Sequence, residues 1–471
     1  MAAWGIAAWL LVAGVLASPA WSQDTTAMPG DAAPARPEIL FNRWEEDWSA
    51  LANPAVPREP FDDLKYVPLS ATDPETYLSF GADVRERFEG NDAPNFGVAG
   101  AHPEDYVISR TEADADLHLA GQVQIFVQLQ SDFAPWKTQL TPVDQDRLDL
   151  EQAFVAITEP VDGGTLKLRF GRQQIAFDLQ RFISVRDGPN VRQSYDAAWA
   201  DYERGPWRVT SFYSQPVQDR DARAFDDYSS GRLTYGGARL ERKLLKSVKV
   251  AISYSRFTQD GAQFLTASGN ERRDILDVHA SGGGAGFDWD VEGMNQTGHI
   301  GSELIEAWAF GSLGGYTLRD VAWTPRLGLQ VDAASGDRDP RDGVLGTFNP
   351  LFPNGYYVTL AGYTGYVNFV HVKPSLTLHP TRTLKLVLAA AGQWRETTAD
   401  AVYSQPDIPV AGTAGHGDAY TGTYGQVRAD WQLSEHYAAA LEAVHFAVGE
   451  AIRATGAHDG DYLGVELRYG W

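Results

Sequence analysis

The chain closes on Tyr462-Leu-Gly-Val-Glu-Leu-Arg-Tyr-Gly-Trp471, and the alternation in this stretch decides the fold. Successive side chains of a strand point to opposite sides. Leu463, Val465, Leu467, Tyr469 and Trp471 therefore share one face, and Tyr462, Gly464, Glu466, Arg468 and Gly470 the other. The same period runs back through the chain. Leu78, Phe80, Ala82, Val84 and Phe88 oppose Ser79, Asp83, Arg85, Arg87 and Glu89, with Glu86 interrupting the apolar face. Ala113, Ala115, Leu117 and Leu119 oppose Arg110, Glu112, Asp114, Asp116 and His118, and after a turn Val123, Ile125, Val127 and Leu129 oppose Gln124, Gln128 and Gln130. Leu166, Leu168 and Phe170 against Lys167 and Arg169, and Val427, Ala429, Trp431 and Leu433 against Gln426, Arg428 and Asp430, repeat it. So do Val248, Val250, Ile252 and Tyr254 against Lys249, Ser253 and Ser255.

These runs reach roughly ten residues, which suits a tilted membrane-spanning strand better than a soluble one. Short connections at 120–122, 160–164, 203–206, 379–383 and 434–436 alternate with long polar ones at 90–105, 178–194, 215–229, 259–272, 333–356 and 396–418. Short turns on one rim and long loops on the other are the asymmetry of an outer-membrane barrel, and counting hairpins from Tyr77 predicts about 18 strands. The stretch 302–326 is the hardest to divide. A soluble sandwich or propeller also alternates, but no blade-length repeat is present.

The start of the chain supplies a destination. Residues 1–22 are mostly apolar and end in Ser18-Pro-Ala-Trp-Ser22, which predicts a secretory signal peptide cut after Ser22, with Ala20 as second choice. A membrane anchor is the alternative, opposed by the shortness of the run; the missing Lys and Arg at its start depart from the usual signal. Residues 23–76 read as a periplasmic segment, with a short amphipathic helix expected over 40–51, and residues 77–471 as the barrel. The terminal Trp471, with Tyr469 two residues earlier, resembles the signal read by the bacterial barrel assembly machinery, which makes that machinery and outer-membrane lipid the expected partners. The fold class predicted is all-β: a transmembrane antiparallel up-and-down barrel in the bacterial outer membrane, monomeric.

Composition removes other classes. Among 471 residues there is no cysteine, which excludes disulfide scaffolds and thiolate chemistry. Aromatic residues at 12% and a hydrophobic fraction of 44% are too high for a disordered chain, despite a net charge of -23. Nucleic acid is excluded as a partner because no Lys/Arg stripe offers it a basic face. The 10 His stand apart, with no HxH or HxxxH pair, and there is no Gly-x-Ser-x-Gly elbow, so no metal, cofactor or catalytic residue is expected. Asp337-Arg-Asp-Pro-Arg-Asp342 lacks the glycine of a calcium loop and carries its own counter-charges. An outer-membrane enzyme with dispersed Asp, His and Ser, or an adhesin, stays open as an alternative.

Several segments resemble the alginate export family. They are Arg43-Trp-Glu-Glu-Asp-Trp48, Leu64-Lys-Tyr-Val-Pro-Leu69 and Gly81-Ala-Asp-Val-Arg-Glu-Arg-Phe-Glu89, then Asp149-Leu-Glu-Gln-Ala-Phe154 and Phe170-Gly-Arg-Gln-Gln174 through Arg181 to Asn190-Val-Arg192 and Tyr195-Asp196. Ala334-Ser-Gly-Asp337, Thr347-Phe-Asn-Pro-Leu-Phe-Pro353, Asn368, Trp394-Arg395-Glu396 and Asp400-Ala-Val-Tyr403 complete the resemblance, which covers most of the chain from Arg43. It implies an 18-stranded barrel whose Arg-rich lumen conducts an anionic polysaccharide, with alginate as leading candidate. A general or small-carboxylate porin is the runner-up.

The pathway residues expected are Arg85, Arg87, Arg110, Arg169, Arg172, Arg181, Asp187, Arg192, Asp196, Arg208, Arg395 and Arg428. Many carboxylates lie in loops, so lumen and net charge can differ in sign, because a narrow passage focuses the charges that line it. Asp83, Asp114 and Asp116 make the lumen mixed, and interior ladders of Arg and carboxylate that only hold the barrel together remain an equal reading. The segment 178–196 stands out, since the alternation breaks at Gly171 just before it, and a glycine at such a break permits a bulge or inward turn. Arg172, Arg181 and Arg192, oriented by Asp187 and Asp196, are the expected constriction.

Overall fold

A computed structural model describes residues 35–98 and 100–471. The expected signal peptide over residues 1–22 lies outside them. Eighteen antiparallel strands close into one barrel. In chain order they are β1 (Tyr77–Asn91), β2 (Glu104–Leu119), β3 (Val123–Phe133), β4 (Asp146–Val161), β5 (Gly164–Gln173), β6 (Tyr195–Arg204), β7 (Trp207–Pro216), β8 (Leu233–Leu245) and β9 (Val248–Gln263). They continue as β10 (Ser268–Gly284), β11 (Phe287–Ile300), β12 (Glu303–Thr317), β13 (Arg326–Ala334), β14 (Phe369–Leu378), β15 (Leu384–Trp394), β16 (Tyr420–Gln432), β17 (Tyr437–Val448) and β18 (Gly460–Gly470). Closure comes from β18 pairing with β1, where Val84 faces Tyr469 and Phe88 faces Val465. A closed barrel leaves no edge strand, which is what lipid demands of a spanning sheet.

The alternation divides the faces as the sequence predicts. Leu463, Val465 and Leu467 are exposed on the outside, as are Ile125, Val127, Ile252 and Tyr254. Aromatic pairs such as Tyr437–Tyr469 and Phe287–Tyr316 near the short turns, and Trp394–Tyr420 toward the long loops, sit where aromatic girdles flank an apolar band. The hard stretch resolves into β12, a turn and β13.

Three expectations need correction. Residues 40–51 form two 3-10 turns, Arg43–Glu45 and Ser49–Ala52, rather than an α-helix. The reason is that their polar groups bond to the barrel mouth: Arg43 donates to Glu46, to the carbonyl of Ala82 at 2.9 Å and to that of Trp471. The expected loop 259–272 is mostly strand, because β9 and β10 run past the membrane and leave only 264–267 as a turn. The excursion after β13 is longer than 333–356; it runs from Ser335 to Asn368 and folds inward.

The interior is also less polar than period-two patterning implies. On one side Tyr195, Tyr235, Phe257, Ile275 and Met294 point inward and pack on Phe182, Ile183, Phe348, Phe352 and Tyr366 from the inward loops. The barrel thus contains a dry core. Its excess of inward aromatics is possible because loops, not water, cover them.

Candidate solute pathway

Register brings together what spacing alone leaves apart. Arg468 on β18 sits opposite Arg85 on β1, and Arg85 sits opposite Arg110 on β2, so three guanidiniums form one row across three neighbouring strands. Like charges directly opposite destabilise a sheet unless something compensates them. The compensation comes from the loop between β5 and β6, residues 174–194. Arg85 donates to the carbonyls of Asp187 and Pro189, and Arg110 to the carbonyls of Pro189 (2.7 Å) and Asn190 (2.7 Å). The Asp187 carboxylate accepts from Arg110 at 2.6 Å, from Arg468 at 2.7 Å and from Arg192 at 3.0 Å. One loop carboxylate therefore sits among three guanidiniums, with a quarter of its side chain still exposed (25%). Burial opposes its ionisation, yet Arg468, Arg192, Arg110 and Arg85 overcome this and hold it well below the usual carboxylate range.

The loop crosses the barrel. At its start Asp178 accepts from Arg239 and Lys249 on the β8–β9 wall, and at its end Asn190 donates to the carbonyls of Ser109, Phe133 and Asp144. Two residues before β5 leaves the wall stands Gly171, still paired with Phe154 and Ala197, whose φ of +127° favours glycine and where a Cβ would lie 2.2 Å from the carbonyl of Ala153. Between these anchors Ile183 bridges to Phe352 and the Phe352 amide donates to the carbonyl of Phe182, so the loop after β13 braces it from the side.

The structure separates the expected constriction residues. Arg192 joins the row, bonding Glu112 at 2.9 Å as well as Asp187. Arg181 is 0% exposed, paired with Asp290 (2.6 Å) and Glu292 (2.8 Å) and stacked on Tyr357, inside the dry core rather than on a wetted surface. Arg172 and Asp196 pair with each other at 3.0 Å on the β5–β6 wall. Of the remaining expected residues, Arg87 is buried among Glu89, Glu442 and Glu466 beside Tyr356, and Arg428 bonds Asp430 and Glu442. Arg208 pairs with Asp201 near the short turns. Arg169 lies 4.3 Å from the Trp44 ring centre, and Arg395 donates to the carbonyls of Asp400, Thr413 and Asp418 to shape an outer loop.

Beside the row opens a chamber of about 510 Å³ lined by Phe41, Asp187, Arg382, Lys385, Arg428 and Arg468 among others. Phe41 belongs to the N-terminal segment, which enters the mouth where the short turns lie: its ring packs 4.7 Å from the Arg192 guanidinium, and Gln124 donates to the carbonyl of Trp44 at 2.8 Å. Arg468, Arg382, Lys385 and Phe41 line this chamber and are not among the residues expected from the sequence. Arg468 was visible as a lumen-face residue of the last strand. Its place beside Arg85 depends on the closing register, which no local pattern encodes.

No curated protein matches the chain. Solved structures do. OccK5 (OpdH) of Pseudomonas aeruginosa is 11% identical with a TM-score of 0.53, covering 83% of this chain and 97% of that one. OccAB1 of Acinetobacter baumannii is 10% identical with a TM-score of 0.56, covering 87% and 99%. OccK2 (OpdF) of Pseudomonas aeruginosa, solved in complex with glucuronate, is 10% identical with a TM-score of 0.54, covering 83% and 97%. At such identities the likeness shows the fold alone. The sequence profile described as alginate export matches residues 76–466, nearly the whole barrel. The chain therefore belongs to the alginate export family of channels in the bacterial outer membrane.

Proposed function

We propose that this channel passes an anionic, carboxylated saccharide, an alginate-like polymer, by diffusion, and that the solute's carboxylates exchange with Asp187 in the guanidinium row. The observation that carries this reading is the row itself: Arg468, Arg85 and Arg110 in register, with Arg192 added, gathered on one loop carboxylate beside an open chamber. Guanidinium forks match carboxylates in planarity and donor spacing, so a uronate carboxylate meets the same donors that Asp187 uses. While Asp187 is docked, Asp187, Glu112 and Glu466 nearly balance the four arginines. Displacing the loop tip leaves the row positive, which favours an anion at that moment and not before.

A small-carboxylate porin is the second reading. The inward loops and the modest chamber favour it, since about 510 Å³ suits a small ligand rather than a long polymer. The structurally similar OccK2 was solved with glucuronate. Planar-bilayer recordings with uronate monomer and alginate oligosaccharides of increasing length separate the two. Translocating long oligosaccharides, read as block events whose duration shortens at higher voltage, support polymer passage. Block that only lengthens with voltage for every oligomer above a disaccharide, with monomer current intact, supports the porin. A protein that conducts neither and hydrolyses lipid or peptide overturns both. In the same reading residues 1–22 are removed on export, 23–76 stay periplasmic, the barrel is a monomer, and the assembly machinery recognises Trp471; deleting Trp471 should slow insertion.

A further inference from the structure

The outer rim holds a second charged feature, unrelated to the row. Asp146 opens β4 at the long-loop end, Asp149 follows three residues later across a break in the register of β4 with β3, and Asp227 lies on the loop between β7 and β8. One carboxylate oxygen from each lies within 4.8 Å of the others. Oxygens bound to calcium at 2.3–2.6 Å are separated by at most about 4.6–5.2 Å, so the three are already spaced as one coordination shell. Acidic clusters are common on loops, and spacing alone would say little. The second observation is that Asp146 is 3% exposed and its Oδ1 has no hydrogen-bond partner among the described residues. A buried carboxylate oxygen without a donor is costly, and native structures rarely leave one so.

The neighbours do not remove the deficit. Asp149 accepts the backbone N–H of Leu150 at 2.7 Å and of Asp227 at 3.1 Å, and its one cationic neighbour, Arg172 at 3.6 Å, is shared with Asp196. The cluster therefore carries more carboxylate charge than the shared Arg172 guanidinium can offset, and a cation is what it lacks.

We propose that Asp146, Asp149 and Asp227 form a divalent-cation site of the calcium class that ties the loop after β7 to the head of β4. All three ligands are hard oxygens, one of them from the loop, and solvent completes the shell as in other calcium sites. The cation joins strand to loop and leaves the guanidinium row untouched, so the site does not depend on the transport reading.

The test uses the full-length protein in detergent with terbium as probe, excited through tyrosine, since Tyr228 is adjacent to Asp227. Expected are a saturable emission displaced by calcium and a tenfold or greater loss of affinity in Asp146→Asn and in Asp227→Asn, with Asp337→Asn unchanged. In parallel, calcium should slow tryptic cleavage at the exposed Arg223 of the wild-type loop several-fold relative to chelator, a readout that survives if a variant fails to fold. Emission unaffected by either variant when both retain heat-modifiable mobility, or equal cleavage with calcium and with chelator, overturns the proposal. If protons rather than cations occupy the site, the second result is the one obtained.

Discussion

Two arginines of the same inward loop meet opposite surroundings. Arg181 is sealed in the aromatic core, held by Asp290, Glu292 and Tyr357, while Arg192 reaches the row shared by Arg85, Arg110 and Arg468 at the edge of an open chamber. The difference teaches that a charged residue inside a barrel is not by that fact part of the pathway. What separates the two is the opposite wall: β6–β9 turn aromatics inward and β10–β12 add Ile275, Met294, Ala307 and Ala309, all needing a loop to cover them, whereas β18, β1 and β2 turn arginines inward and need an acceptor. One loop satisfies both, burying its middle on the first wall and placing its tip on the second.

The largest expected effect breaks the sealed half. Arg181→Ala leaves Glu292 buried without its cation and Asp290 with His279 alone, a loss of about 3–5 kcal/mol. Heat-modifiable gel migration should shift to lower temperature, and any protein that still folds should keep wild-type ion selectivity. Intact stability with altered selectivity would move Arg181 to the wetted half. Next comes Asp187→Asn, which keeps the shape of the loop tip and deletes its charge. Anion over cation permeability should rise several-fold, because a unit charge at ~4 Å in an effective dielectric of about 20 is worth up to a few kcal/mol before mobile ions screen it.

The pH dependence sharpens the contrast further. Asp187 is held well below the usual range, so its docking is fully present above the ordinary aspartate value near ~3.9 and is lost only as pH falls through its own lower value. Open-channel current between pH 4.5 and 7 should therefore show no loop release. Asp407, on the outer loop that lines a recess with Phe264, Phe348 and Tyr403, behaves oppositely: burial pushes it up to about 6, although Arg186 pulls the other way. Its sign is that of a raised carboxyl, so ionisation costs stability as pH climbs from about 4 toward 6, and above that the vestibule gains a negative charge. A small fall in anion preference between pH 5 and 7, abolished in Asp407→Asn, is the smallest effect expected.

The legibility of the molecule in its sequence follows the same division. Strand direction and the exposed face could be read because period two is local: Leu463, Val465 and Leu467 need no partner to be recognised. Arg85 and Arg110 could be placed on the lumen face for the same reason. Their union with Arg468 could not, since it depends on how residue 468 meets residue 85 across the closure. The dry core escaped for a different reason. Tyr235, Phe257 and Met294 look like ordinary alternation slips until Phe348 and Phe352 from a distant loop are seen to cover them. Arg172 and Arg181 sounded like Arg192 in sequence because charge, unlike burial, carries no record of its surroundings.

The central claim is that the row, and not the arginines of the sealed core or the outer loops, selects the solute. Reversal potentials across a salt gradient test it most directly, comparing Arg192→Ala with Arg468→Ala against Arg338→Ala with Arg341→Ala, the latter pair being exposed on an outer loop. The account predicts a several-fold drop in anion over cation permeability for the double variant of the row and nearly none for the outer pair. Equal potentials in all three proteins, with normal folding, would contradict it and assign the row to structure alone.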